Sequence, residues 1–186
     1  KNRQQITEDK SIALKPAWSP DGNRMVFTSY AKANPKQTRT NPNLVMVDIL
    51  KNQRWLILTL PGLNTAPAWS PDGSKIALVL SRDRNSEIYY LTKKRQLSRL
   101  TNHFNIDTSP TWSPDGKKIA FTSDRSGTGA PQIYIMEDLN KREEGPIQRI
   151  SFGSSYNDNP AWSPNGQKIA YTSKVGKQFH LKIYDL

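Results

Sequence analysis

The chain reads as an all-β protein, a β-propeller built from four-stranded antiparallel blades, and three observations carry that reading. One sentence is written four times: Pro16-Ala17-Trp18-Ser19-Pro20-Asp21-Gly22, then 67–73, 110–116 (with Thr111) and 160–166 (with Asn165). Its tryptophans, Trp18, Trp69, Trp112 and Trp162, sit 51, 43 and 50 residues apart, a period that marks one supersecondary unit copied in tandem. Each copy is followed by short apolar segments separated by Gly, Asn, Asp, Lys and Pro. Up to four strands in about 45 residues, repeated, is the pattern of a propeller blade.

The elements follow in order within each copy. The tryptophan closes a short extended segment. Ser-Pro-Asp-Gly is then a tight turn: Pro presets φ at the first corner, Asp suits the second, and Gly takes the positive φ that closes a hairpin. Asn165 tolerates the same geometry. A strand follows at 24–29, 75–81, 118–123 and 168–173. Ile119/Phe121 and Ile169/Tyr171 alternate there with Ala120 and Ala170, so both faces are apolar and the strand packs between two layers. A third strand is expected at 43–49, 87–92, 132–137 and 179–186, and a fourth at 54–60, 97–101 and 147–152. A tandem β-sandwich would also give regular strands, but it does not explain one Trp and one turn recurring at the same place. The tryptophans are therefore expected to pack between blades.

The four repeats occupy residues 1–186 as one domain. Residues 3–7 resemble a fourth strand, and the last copy ends on a third. Pairing of 3–7 with 179–186 would shut a four-bladed ring; otherwise both edges await further blades. The insertion 30–42 lengthens one hairpin.

Composition bounds the function. No apolar run approaches the roughly 20 residues that span a bilayer, so no membrane insertion is expected, and no apolar leader segment is present. Without cysteine there is no disulfide framework and no thiol chemistry. The net charge of +11 includes clusters at Lys93-Lys94-Arg95 and at Lys32, Lys36 and Arg39. Such a field favours acidic proteins, anionic envelope polymers or nucleic acid, or it is a solvated surface that guards strand edges. Nucleic acid fits poorly, because the aromatics fall at core positions of the repeat and form no stacking platform. His103 and His180 lie in different parts of different repeats, and no nucleophile elbow, zinc helix or phosphate loop is written. Gly127-Thr128-Gly129 lies between strands and reads as a turn, and the stretch from Asp124 lacks the acidic ladder of a calcium loop. No catalytic residue, metal or cofactor is expected.

At the Trp-Ser-Pro-Asp-Gly motif the repeats resemble those of the TolB propellers, periplasmic members of the Tol–Pal cell-envelope system. The flanking stretches 9–18, 77–81, 119–127, 131–134 and 148–151 carry the same likeness, which covers nearly the whole chain. The resemblance implies a non-enzymatic periplasmic scaffold that docks the lipoprotein Pal, with other envelope proteins as partners, and supports outer-membrane integrity. It also implies a six-bladed parent with an N-terminal α/β domain, whereas four repeats are written here. The bare motif is shared with propellers that gate prolyl-oligopeptidase- and dipeptidyl-peptidase-like serine peptidases. That is the alternative reading, with the catalytic domain elsewhere.

The segments joining one blade to the next tryptophan strand, 11–15, 62–65, 105–109 and 156–159, vary while the blade repeats, as loops carrying function do. The resemblance implies that Pal inserts at the mouth they surround. The candidate partner-binding residues are Leu63, Asn64, Thr65, Asp107, Thr108, Ser109, Asn157, Asp158 and Asn159. Leu63 and Ser109 depart from the His and Glu that family members often carry there.

Overall fold

A computed structural model describes residues 5–7, 11–32, 36, 41–127, 129–137 and 146–186. Among them fifteen strands form four antiparallel sheets in simple meander order. Blade 1 holds β1 (Ala13–Trp18), β2 (Arg24–Ser29), β3 (Asn43–Asp48) and β4 (Gln53–Leu58). Blade 2 holds β5 (Asn64–Trp69), β6 (Lys75–Leu80), β7 (Glu87–Thr92) and β8 (Leu97–Arg99). Blade 3 holds β9 (Asp107–Trp112), β10 (Lys118–Ser123), β11 (Gln132–Glu137) and β12 (Ile147–Arg149). Blade 4 has three strands, β13 (Tyr156–Trp162), β14 (Lys168–Val175) and β15 (Gln178–Asp185).

The repeated turn explains itself atom by atom. In blade 2 the Ser70 hydroxyl donates to Asp72 Oδ1 at 2.6 Å and accepts the Lys75 amide at 2.9 Å, which ties the start of β6 to the end of β5. Ser19, Ser113 and Ser163 make the same pair of bonds. The bond from Ser70 leads in holding the Asp72 carboxyl down to about 2. The closing glycines have φ between 66° and 73°, as the turn chemistry requires. Neighbouring turns touch: a Cβ added to Gly116 would meet Pro71 Cδ at 3.6 Å, and Gly166 stands the same way over Pro114.

The core lies between blades. Val26, Leu44, Leu78, Leu80 and Tyr89 fill the joint of blades 1 and 2. Val79, Ile88, Trp112, Ile119 and Phe121 fill that of blades 2 and 3, and Ile133, Ile135, Ile150, Ile169 and Tyr171 that of blades 3 and 4. Each large apolar side chain buried this way contributes about 1.5–3 kcal/mol. The second strands are apolar on both faces because each serves two joints. The tryptophans tie successive blades: Trp112 Nε1 donates to Ala68 O at 3.1 Å and Trp162 Nε1 to Thr111 O at 3.2 Å. Trp112 is 7% exposed, whereas Trp18, with no described blade beside it, is 54% exposed.

Two expectations need correction. The tryptophan strands begin earlier than the loops at 11–15, 62–65, 105–109 and 156–159 allowed, since β1, β5, β9 and β13 start at Ala13, Asn64, Asp107 and Tyr156. The reason is a β-bulge before each proline. Pairing skips between Leu14 and Ala17, Thr65 and Ala68, and Asp158 and Ala161, then resumes. The third β9–β10 pairing shifts likewise. The spare strand at 3–7 is the other: Arg3 and Gln4 lie outside the described residues, and Gln5–Thr7 are not in a strand. β15 pairs with β14 alone among the described strands. Most of the insertion 30–42 also lies outside the described residues.

Candidate functional site

The nine candidate residues separate by depth. Leu63 sits in the connection before β5; the other eight lie on inner strands β5, β9 and β13. Asn64, Asp107 and Asn157, the first or second residues of those strands, are wholly buried. Each stands five residues before its tryptophan and holds the connection in place. Asn64 Nδ2 donates to Pro42 O at 3.0 Å and Leu60 O at 2.7 Å, while its Oδ1 takes the Leu60 amide at 3.1 Å. Beside it Gly62 has φ 83°, and an added Cβ would lie 2.5 Å from Ser81 Oγ, so a side chain there would be strained and would displace that hydroxyl. Asn157 Nδ2 donates to Gln132 Oε1 at 2.8 Å, which also takes the Ser151 hydroxyl at 2.8 Å.

The joint between blades 2 and 3 uses charge where its neighbour uses amides. Glu87 replaces Gln132 in register and Asp107 replaces Asn157. Glu87 accepts from Thr101 Oγ1 at 2.6 Å, Arg99 Nη2 at 2.9 Å and the His103 amide at 2.8 Å. Asp107 accepts from Arg125 Nη2 at 2.7 Å. Burial pushes the Asp107 carboxyl up to about 6, against the pull of Arg125.

Of the remaining candidates, Ser109 and Asn159 line a cavity shared by all four blades. The residue before each motif proline, Lys15, Ala66, Ser109 and Asn159, has φ of 53°, 50°, 51° and 55°. Four non-glycine residues in this region cost about 1–3 kcal/mol each and are held only because the bulge and the blade pairing over-determine them. With the following prolines they line a cavity of 160 Å³ on the axis. Lys15 Nζ crosses it to donate to Asn159 Oδ1 at 3.2 Å, joining blade 1 to blade 4. Asp158 is the hub: Oδ1 accepts from Thr122 Oγ1 at 2.8 Å and Ser109 Oγ at 3.2 Å, and Oδ2 from Tyr156 Oη at 2.9 Å. Burial, then the bond to Asp158, pushes the Tyr156 phenol up. Thr65 meets Thr28 hydroxyl to hydroxyl at 3.1 Å across the first joint. The site is thus a polar lining with fixed donors and acceptors.

Sequence reasoning missed the apolar residues on the same connections. Phe104 is 87% exposed, Phe152 63% and Ile106 53%. Phe104 stacks on His103 at 4.4 Å, and the Arg149 guanidinium lies 4.9 Å from the Phe152 ring. With Leu63 they place exposed apolar side chains on three successive inter-blade connections. The available signal was an isolated large apolar residue in each connection. Lys15 lay inside the segment 11–15 but outside the candidate residues. Among the described residues no group of three or more His, Asp or Glu could hold a metal ion.

Comparison with known proteins gives these features a family context. A family model described as TolB beta propeller domain matches residues 1–186. The chain is 40% identical over 91 residues to the Tol-Pal system protein TolB of Desulfosudis oleivorans, a match covering 49% of this chain and 19% of that protein. It superposes on the crystal structure of TolB from Acinetobacter baumannii with a TM-score of 0.84 and 34% identity, over 97% of this chain and 42% of that one. The chain therefore corresponds to less than half the length of either relative. Puromycin hydrolase shares the fold alone, with a TM-score of 0.73 at 14% identity over 98% of this chain and 28% of the other.

Proposed function

Because this chain belongs to the TolB beta propeller domain family, we propose that it is a non-enzymatic protein-binding scaffold of the Tol–Pal system in the periplasm. It docks Pal at the mouth where the inter-blade connections meet. The observation that carries this reading is the strained, bulged lining at Lys15, Ala66, Ser109 and Asn159. Strain kept at one level of four blades is expected where function requires it. Within the candidate set, Leu63, Thr65, Thr108, Ser109, Asp158 and Asn159 contact the partner. Phe104, Ile106 and Phe152 add apolar area around them, while buried Asn64, Asp107 and Asn157 hold the connections.

The ring is larger than four blades in this reading, and six is the number the family resemblance implies. Leu44, Ile88 and Ile133 hold equivalent positions on the third strands and are fully buried by the next blade; their counterpart Leu181 on β15 is 83% exposed. Further blades supply the missing cover. The alternative, a gating propeller of a serine peptidase, draws on fold likeness alone, and a parent gene continuing into an α/β-hydrolase would favour it. Titration calorimetry with purified Pal tests the leading reading: saturable binding supports it, and no heat at micromolar concentrations contradicts it.

A further inference from the structure

At the opposite end of the blades, beside the turns, a groove of 310 Å³ opens between blades 1 and 2. Its size falls at the lower end of small-molecule sites. Its apolar floor is formed by Trp55, Trp69, Met46 and Leu91, and its rim carries Arg24, Lys75, Lys93 and Arg95. No carboxylate lines it. Asp48 lies nearby, 3.8 Å from Arg24, and is occupied by the Lys51 amide at 3.0 Å. Lys75 lies over the Tyr90 ring at 4.7 Å, which fixes its ammonium at the rim.

Two features set this joint apart from the other two. Trp55 pairs with Met46, and its register equivalents in blades 2 and 3 are Ser98 and Gln148. An indole thus stands where other blades are polar, although it plays no part in the repeated motif. In addition, Trp112 and Trp162 spend their indole N–H on the carbonyl of the preceding blade, but Trp69 Nε1 is buried without an acceptor. A buried donor left unpaired is costly and calls for an explanation.

We infer that this groove binds a small amphipathic carboxylate, with a flat apolar body against Trp55 and Trp69 and the anionic end among the rim cations. The indoles supply stacking area, and the cations supply charge-assisted hydrogen bonds. The Lys93-Arg95 cluster, otherwise unexplained, becomes the lip of the site. The inference does not depend on the mouth or on Pal, which lie at the other end.

The test uses the ¹⁵N-labelled protein and follows its five tryptophan indole signals during titration with naphthalene-2-carboxylate, with naphthalene-2-carboxamide as the neutral control. Saturable shifts confined to Trp55 and Trp69 are expected, with the amide weaker by about tenfold, the difference a charged hydrogen bond makes. Lys93→Ala/Arg95→Ala, a change at exposed positions, should weaken carboxylate binding several-fold, and Trp55→Ser should abolish it. No saturable shift, equal affinity for acid and amide, or equal shifts at all five indoles would overturn the inference.

Discussion

Each four-stranded blade sends the repeated turn and the hairpin between its third and fourth strands to one end of the propeller, and the hairpin between its second and third strands and the inter-blade connection to the other. The repeated turn and the connection are built on opposite terms. At the turn end the same bonds recur four times: serine to Asp or Asn Oδ1 at 2.5, 2.6, 2.5 and 2.7 Å. At the connection end the backbone bend recurs but the exposed side chains do not. The channel positions are Lys15, Ala66, Ser109 and Asn159, and the exposed apolar residues fall at different places in connections of different length. Repetition is what a stacking scaffold needs, because every blade must meet its neighbour in the same way. Variation on a common backbone strain is what a binding surface needs. The difference is between a turn built alike in every blade and connections whose side chains change from blade to blade.

Substitutions at the two ends sharpen that contrast. The largest effect should come from the repeated machinery: Trp112→Ala empties a 7% exposed joint and breaks the bond to Ala68, costing about 3–5 kcal/mol in chemical denaturation. In residues 1–186 alone, where no further blade covers it, Trp18→Ala, at 54% exposure, should cost under about 1 kcal/mol. Equal losses would break the scaffold account. Next comes the turn itself. Ser113→Ala removes an acceptor for the Lys118 amide and a donor to Asp115 and should cost about 1–2 kcal/mol.

A smaller effect probes the charged joint. The folded Asp107 carboxyl titrates at about 6, above the usual ~3.9 of an unfolded chain. Between about pH 4 and 6 the folded state therefore holds a proton that the unfolded chain has released. Stability from this group rises as pH falls from 7 through 6 and levels off below about 4, a gain of about 1 kcal/mol between pH 7 and 5. Asp107→Asn, which restores the amide found at Asn64 and Asn157, should flatten that slope in denaturation curves at the two pH values. An unchanged slope would place the titration elsewhere. Asn159→Ala should move stability least, by under about 1 kcal/mol, since Ala66 already adopts the same backbone in blade 2.

Most of the blade was legible in the sequence because its rules are local. Alternation and turn residues placed β2, β7, β10 and β11 at their observed bounds. The inner strands were read too short because a proline preceded by a bulge looks like the start of a strand, when pairing in fact continues across it. Site depth was not legible for a different reason. Asn64, Asp107 and Asn157 look like loop polars, and only the packing of one blade on the next buries them and gives them partners. Phe104 and Phe152 escaped because a lone aromatic in a polar stretch has no period. Its meaning lies in the topology that brings the connections to one mouth.

The claim that the varied end is the docking surface is tested most directly by the affinity of Pal for Leu63→Ala/Phe104→Ala/Asn159→Ala, measured by calorimetry beside the melting temperature. These three positions lie at the connection end of the blades, outside the joint cores. The account predicts at least a roughly tenfold loss of affinity with melting within about 4 °C of the parent. Unchanged affinity in a variant that folds as the parent does would contradict it.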